Sequence, residues 1–443
     1  TPEIYTLSLH DALPISSPSI SFLHRFNEKG TQLSSDVSFT HVDGNYSFRS
    51  NEFIANKNYQ SIDSMPERIN SSNNYLRNFL VAKADYVWAI NDKLKLETGI
   101  EFAGNQRDVA LDITNFDYNT NQWLPNSLYS NNYVFRQSIY AGYSQWSGQL
   151  ASFEYQIGIR GEYTDRILEQ KQKNEDYIYQ KMHFFPSFSL LRALNEKIKL
   201  QWSYSRRISR PIEFYLNPFP STVSSSVINT GNPKLQPYFT NYYEFNITSD
   251  FNAFVLNVNN FYIFTKDAIT QVLELNEQGT QIMTFRNMNY NKFIGTEIST
   301  SLSPAKIIKL SPKINLFSME TRGDIDDYDA HFKTFTYELS LNGSVKILKS
   351  TRFQIVTTYA GKSVTQQGYQ EPYYFITASL KQDFLNDKLS IVLQARNLFN
   401  SNRLNFDEYG KNFNTKLNYQ PETNIFSFRS EEHTSELQSP NTI

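Results

Sequence analysis

The side chains that could do chemistry in this chain are few and scattered. Cysteine is absent, which removes disulfides, thiolate metal sites and cysteine nucleophiles together. The six histidines, His10, His24, His41, His183, His331 and His433, stand far apart in sequence, so no zinc-type ligand set is visible and no metal or cofactor is expected. Asp324, Asp326, Asp327 and Asp329 crowd into the run GDIDDYDAH. Oxygen-rich spacing of this kind can hold Ca2+, but the glycine at the sixth position and the glutamate at the twelfth of a calcium loop are missing, and a solvated loop is the plainer reading. Arg206, Arg207 and Arg210 gather positive charge ahead of a long polar stretch. They suit capture of an anionic ligand through charge-assisted hydrogen bonds, or pairing with nearby carboxylates. Trp123, Tyr215 and Phe219 stand outside any strand pattern and are suited to stacking on a sugar or aromatic ligand, or to packing one loop on another. Arg206, Arg210, Trp123, Tyr215 and Phe219 are therefore the candidate ligand contacts. No Asp or Glu is distinguished as a catalytic acid, so no catalytic residue is named and no enzyme is expected.

The elements that must position these residues are strands. The chain has 443 residues, with 42 Lys+Arg against 44 Asp+Glu and a formal net charge of -2, which argues against a nucleic-acid binder. No window approaches the roughly 18 apolar residues of a membrane helix. Aromatics make up 15% of an otherwise polar chain. In Ser152 to Thr164, Phe153, Tyr155, Ile157, Ile159 and Tyr163 fall on one face while Glu154, Gln156, Arg160 and Glu162 fall on the other. That is a period of two, and it recurs at 94–102, 198–205 and 335–346. No helix longer than a turn or two is expected.

These runs extend over about ten residues or more, the length of a tilted strand crossing a bilayer, whereas strands of soluble proteins cluster near five or six. Tight turns are expected at Asn91 to Lys93, Asn195 to Lys197 and Asn386 to Lys388, with short links near Ser147-Gly148, Asp250-Phe251, Pro304-Ala305 and Lys349-Ser350. Long polar loops are expected at 105–132, 167–180, 210–239, 267–280, 323–331, 363–372 and 397–412. Short turns on one side and long loops on the other mark an outer-membrane barrel. The reading is all-β, with roughly 17 antiparallel strands of a larger transmembrane barrel, starting near Ser19 and ending in 412–429. Phe153, Tyr155, Ile157, Ile159, Leu339 and Leu341 should face lipid, and Glu154, Arg160, Glu338 and Asn342 the lumen. The ends differ: SLHDALPIS and RSEEHTSELQSP resemble translated sequencing-adapter read-through. Residues 1–16 and 430–443 are therefore expected to be non-native or disordered flanks around a barrel domain at 17–429.

Arg206 to Phe245 reads RRISRPIEFYLNPFPSTVSSSVINTGNPKLQPYFTNYYEF. This resembles the Arg-x-x-x-Arg-Pro, Asn-Pro-Phe and Gly-Asn-Pro-x-Leu-x-Pro segment of TonB-dependent outer-membrane receptors, in the branch known as the outer membrane protein beta-barrel family. Phe285-Arg286-Asn287 with Phe293 to Glu297 (FIGTE) resembles that family's Asn and Gly-x-Glu strand, and Leu393 to Asn402 (LQARNLFNSN) its penultimate hairpin. The position usually acidic after the Gly-Asn-Pro run is Tyr238 here. The resemblance implies the C-terminal barrel part of a receptor that takes up a scarce nutrient in the bacterial outer membrane. Its partners would be outer-membrane lipid, a plug domain and the TonB system, with the small ligand unnamed. The expected fragment lacks plug and first strands, so its first strand, near Ser19 to Phe26, should not pair fully with its last, near Phe413 to Phe428. Two other functions stay open: a soluble β-rich carbohydrate-binding or carbohydrate-active protein, and an autonomous passive porin or adhesin.

Overall fold

A computed structural model describes residues 7–9, 15–53, 56, 65–224, 227–251, 254–275, 280–325, 328–386 and 388–432. Seventeen strands, each antiparallel to the neighbours it pairs with, carry the architecture. The sole helix among the described residues is the single turn α1, Glu213–Leu216. None is long and apolar enough to cross a membrane. The chain divides into two compact units, one of residues 1–189, 205–239 and 267–287, the other of residues 190–204, 240–266 and 288–443.

The first unit is a meander of β1 (Ser19–Arg25), β2 (Gln32–Glu52), β3 (Glu67–Asn91), β4 (Leu94–Asp117), β5 (Asn131–Leu150), β6 (Phe153–Gln170) and most of β7 (Glu175–Ala193). Each pairs with the next in sequence. Leu7–Leu9 and Ile15–Ser16 also pair with β2. Lys93 closes the β3–β4 turn by donating its backbone N–H to Asn91 Oδ1, as an Asx turn requires. The β5–β6 turn lies at Ala151 and Ser152, not at the expected Ser147-Gly148, which is paired strand with Tyr155 and Gln156 opposite.

The second unit continues from the end of β7 with most of β8 (Ile198–Ser209) and of β9 (Tyr238–Asp250), then β10 (Phe254–Lys266), β11 (Tyr290–Ala305), β12 (Ile308–Ile325), β13 (Tyr328–Leu348), β14 (Thr351–Ala360), β15 (Tyr373–Phe384), β16 (Leu389–Arg396) and β17 (Ile425–Glu432). Gly295, in the FIGTE stretch, has a packing reason: a Cβ there would sit 2.4 Å from both Leu316 O and Phe317 Cβ on β12. Asn397, 1% exposed, closes the penultimate hairpin by accepting the backbone N–H groups of Ser401 and Asn402 and donating to Glu422 O.

Several expected loops are strands. β4 and β5 run well into 105–132, and β6 and β7 leave four residues of the supposed 167–180 loop. β12 and β13 leave two residues, Asp326 and Asp327, of the 323–331 loop, and both lie outside the described residues. The physical reason is that polar residues on both faces do not prevent pairing where one face is covered or wet. The expected last strand is also corrected. Phe413–Tyr419 pairs with Leu404–Gly410 in a small separate sheet, and the last wall strand is β17, which pairs with β16 as far as Glu432.

In the lower part of the first unit, near the tight turns, one sheet face exposes Ile100, Tyr140, Trp146, Ile157, Ile159 and Tyr163. The other carries charge. Lys83 pairs with Asp85 at 2.8 Å, Tyr143 donates to Asp85, and Arg160 holds Glu162 at 2.6 Å and Glu101 at 3.1 Å. In the second unit, Leu339, opposite Ile314, is 41% exposed, while Glu338 and Asn342 accept hydrogen bonds from Asn315 and Gln354. In the first unit an exposed apolar face opposite a charge-paired one inverts the soluble arrangement, as the alternation predicted. In the second Glu338 and Asn342 are themselves exposed, as is Glu154 in the first, and Phe153, Tyr155 and Leu341 are only half-buried. The expected division therefore holds for Ile157, Ile159, Leu339 and Arg160 and not for the whole set.

Candidate functional site

Higher on the same strands the pattern reverses. Val109 and Ile113 on β4, Tyr133 and Phe135 on β5, and Leu168 on β6 are buried on the face that below carries Glu101, Tyr143 and Arg160. The segment 210–238 covers them, and Leu216, Leu235 and Phe285 complete the cluster. Burying such side chains is worth about 1.5–3 kcal/mol each, and that apolar contact is what holds a long polar segment against a strand face.

The motif residues supply the pins. Asn217 Oδ1 accepts three donors: Asn131 Nδ2 from β5 at 3.1 Å, Gln170 Nε2 from β6, and the Phe219 backbone N–H at 3.2 Å. Gly231 and Asn232 donate their backbone N–H groups to Asn217 O and Tyr215 O. A Cβ at Gly231 would lie 2.5 Å from Asn217 O and 2.7 Å from Tyr215 O, so only glycine admits this approach. Asn232 caps the following turn by accepting the Lys234 N–H, and its Nδ2 donates to Phe285 O. Asn287 clasps the segment further on, accepting the Gln236 N–H and donating to Gln236 O and Asp267 O. Glu213, in α1, pairs with Arg107 on β4.

Arg210 donates to Glu162 and Thr164 on β6, so its guanidinium closes a chain of charges from Glu101 through Arg160 and Glu162. Arg206 lies over the Phe239 ring at 4.6 Å. Tyr215 stacks on Phe285 with ring centroids 4.2 Å apart. Phe219 lines a cavity. Trp123 lies apart on the short strand Gln122–Pro125, edge-on to Phe116 and beneath Arg68. Arg210, Tyr215 and Phe219 thus share one segment, and Trp123 belongs to another hairpin. In the acidic run, Asp329 pairs with Arg322 and Asp324 accepts from Asn289. No group of His, Asp and Glu able to hold a metal is present among the described residues.

The cavity measures about 170 Å3 and lies between the pinned segment and β3, β4 and β5. Asn73, Asn131 and Asn217 line it with Tyr133, Phe214 and Phe219. Tyr133 sits seven residues beyond the exposed Tyr140, and burial pushes its phenol above the ordinary value, which keeps it neutral. Tyr177, near the β6–β7 turn and packed on the apolar cluster, is pushed up to about 12 by burial and by Glu175 beside it. The sequence reading pointed to charged and aromatic side chains and missed Asn73 and Asn131. Their signal was the Val109, Leu111, Ile113 alternation of period two inside a stretch taken as loop.

Comparison with known proteins agrees with this architecture. The model of the outer membrane protein beta-barrel family matches residues 24–431. Among solved structures, the copper transporter OprC superposes with a TM-score of 0.65 at 11% identity, covering 94% of this chain and 65% of that one. The ferric-catecholate import receptor Fiu from E. coli K12 gives 0.63 at 13% identity, with 95% and 64% covered. The ferric yersiniabactin uptake receptor FyuA from Yersinia pestis gives 0.57 at 13%, with 95% and 62% covered. At such identities the likeness is one of fold, and the chain spans less than two thirds of each of these structures. No curated protein matches it in sequence. With its long antiparallel strands and the match of the family model to residues 24–431, this chain belongs to the outer membrane protein beta-barrel family and is a protein of the bacterial outer membrane.

Proposed function

We propose that the chain is the barrel portion of a TonB-dependent receptor that imports a scarce nutrient, and that it works with a plug domain and the TonB system. The observation that carries this reading is the pinned 210–238 segment. A passive pore gains from an open lumen, whereas here Asn217, Gly231, Asn232 and Asn287 hold a folded segment against the buried upper part of the wall strands. The fold shared with copper and ferric-ligand importers supports the same class. Transport, not catalysis, is the activity this site suits. Of the five candidate contacts, Phe219 lines the cavity, which supports a ligand-contact role for it, while the bonds of Arg210 to β6 and the stacking of Tyr215 on Phe285 support a role in holding the segment.

The test is genetic. The gene encoding this chain in full is expressed in a receptor-deleted strain, with and without TonB, and growth is scored on limiting nutrients. Growth that requires both supports the reading, and growth indifferent to TonB sinks it. Residues 17–429 alone, behind an outer-membrane signal, should give no TonB-dependent growth.

A further inference from the structure

We infer that a basic pocket at the tight-turn end of β13, β14 and β15 binds a small oxyanion carrying about three negative charges, of the phosphate-ester or oligocarboxylate class. The pocket measures about 290 Å3, close to small-ligand size, and Lys346, Lys349, Arg352 and Lys381 line it with Asp383 and Ser390. Strand register sets three of the cations in one row: Lys346 stands directly opposite Arg352, and Arg352 directly opposite Lys381. Like charges so opposed destabilise a sheet, because their side chains start roughly 5 Å apart, and an anion bridging the row reverses the sign of the interaction. Four cations against one carboxylate leave three positive charges unmatched. Asp383 is spent on Lys381 at 3.2 Å and on the Ser390 hydroxyl at 2.5 Å. Lys346, Lys349 and Arg352 reach no carboxylate as an ion pair among the described residues. Further along the row Arg429, opposite Val392, holds Glu431 at 2.6 Å, so that carboxylate is taken as well.

The cations are within reach of a solute. Lys346, Lys349 and Arg352 are exposed, and the Lys381 side chain is 40% exposed. By the two-residue period Lys346 shares the strand face of Asn342 and Glu338, while Leu339 belongs to the other, so the pocket opens on the polar face. Its floor is fixed. Gln382 donates to the Ser350 hydroxyl at 2.9 Å and accepts from Thr351, and the Asp383 backbone N–H donates to Ser350 O at 2.8 Å, which clamps the β13–β14 turn to β15. A guanidinium presents a planar fork that matches two oxygens of a phosphate or carboxylate, and flanking ammonium groups add charge without a fixed direction. A neutral solute gains little from such a row, and a cation is repelled. Tight turns of an outer-membrane barrel face the periplasm, so the anion is met on that side.

This site goes beyond the receptor reading and does not rest on it. The full chain in non-ionic detergent micelles is titrated by calorimetry with pyrophosphate and citrate, and with acetate, choline and an oligo-aspartate peptide as further probes, at about 50 mM and about 300 mM salt. Saturable one-to-one binding of pyrophosphate, citrate or both is expected, at least tenfold tighter than acetate and weakened by salt, with no binding of choline. Arg352→Gln should weaken it at least tenfold and Lys381→Gln several-fold. Asp383→Asn, which removes the one opposing charge, should tighten it several-fold, a gain that a damaged fold would not give. Folding of each variant is checked by heat-modifiable gel mobility, and if Arg352→Gln fails to fold, Lys346→Gln carries the comparison. Lys171→Gln, in the other unit, should leave binding intact, and an equal loss there would show attraction by overall charge and overturn the site. Absence of binding of both anions by the folded chain, binding that Arg352→Gln and Lys381→Gln leave unchanged, or weakening by Asp383→Asn would also overturn the proposal. Binding of the peptide but of neither free anion would overturn it too, and would make the row a docking surface for an acidic polypeptide.

Discussion

Asn217 shows how one side chain can hold a segment of nearly thirty residues. Its Oδ1 collects donors from β5, β6 and its own turn, so removing it leaves three donors to find other partners. Asn217→Ala should loosen the 210–238 segment by about 1–3 kcal/mol. The readout is faster amide exchange at Gly231 and Asn232, with little change in β13 to β16 of the other unit. Gly231 works by having no side chain at all. Gly231→Ala forces a methyl into Asn217 O and Tyr215 O, and either the segment or the α1 turn must move. A comparable loss of about 1–3 kcal/mol is expected for such overpacking. Limited proteolysis should then cut within 210–238 while the strands stay intact, and an uncut segment would show that the approach can relax.

The strand is the next level, and its two halves answer to different surroundings. Ile157 on β6 is 51% exposed in the lower band, so Ile157→Arg should destabilise the folded state by about 2–4 kcal/mol in urea titrations from lipid vesicles. Gln145 on β5, which donates to Glu97 on the polar face, should accept Gln145→Lys with a much smaller change. Equal effects of the two would mean that the faces are misassigned. At the outer end, the β4 hairpin carries a pH-sensitive turn. Asp117 is held below the ordinary carboxylate value first by the Thr120 hydroxyl and then by the Asn119 N–H. A depressed folded value contributes stability that is fully present above the unfolded value near 3.8 and is lost as pH falls through the lower folded one. Local opening of this hairpin should therefore rise below about pH 4, with a 5-fluorotryptophan resonance at Trp123 as reporter. Asp117→Asn should open the hairpin at all pH values and abolish that dependence.

For the molecule as a whole, the bilayer is the solvent that makes the pattern consistent. Strands of 18 to 25 residues in β3 to β6 exceed the roughly 9–11 that a tilted crossing needs, so each has a lipid-crossing lower part and an upper part beyond it. The chain should therefore sediment with membranes and resist extraction by carbonate. Recovery in the aqueous supernatant, folded, would return the soluble carbohydrate-binding alternative to the front.

Much of this was legible in the residues alone. Alternation is a local property, so Phe153 to Tyr163 and Phe335 to Leu341 declare strands, and the turns at Asn91 to Lys93 and Asn195 to Lys197 declare where they reverse. Exposed Ile157, Ile159 and Leu339 then follow from the lipid reading. What alternation cannot state is which face is covered, because that depends on residues far away in the chain. Val109, Tyr133 and Leu168 point to the same side as Glu101 and Arg160 below them, and only the arrival of Leu216 and Leu235 turns that side from wet to dry. For the same reason the Arg-Pro, Asn-Pro-Phe and Gly-Asn-Pro motif was visible while its work was not. Asn217 and Gly231 fall within the long loop expected at 210–239, and become pins when β5 and β6 bring Asn131 and Gln170 beneath them. The cavity is the extreme case. Asn73, Asn131 and Asn217 come from three separated stretches with no shared spacing, so a common site exists only once strand pairing and apolar burial have folded the segment over the wall.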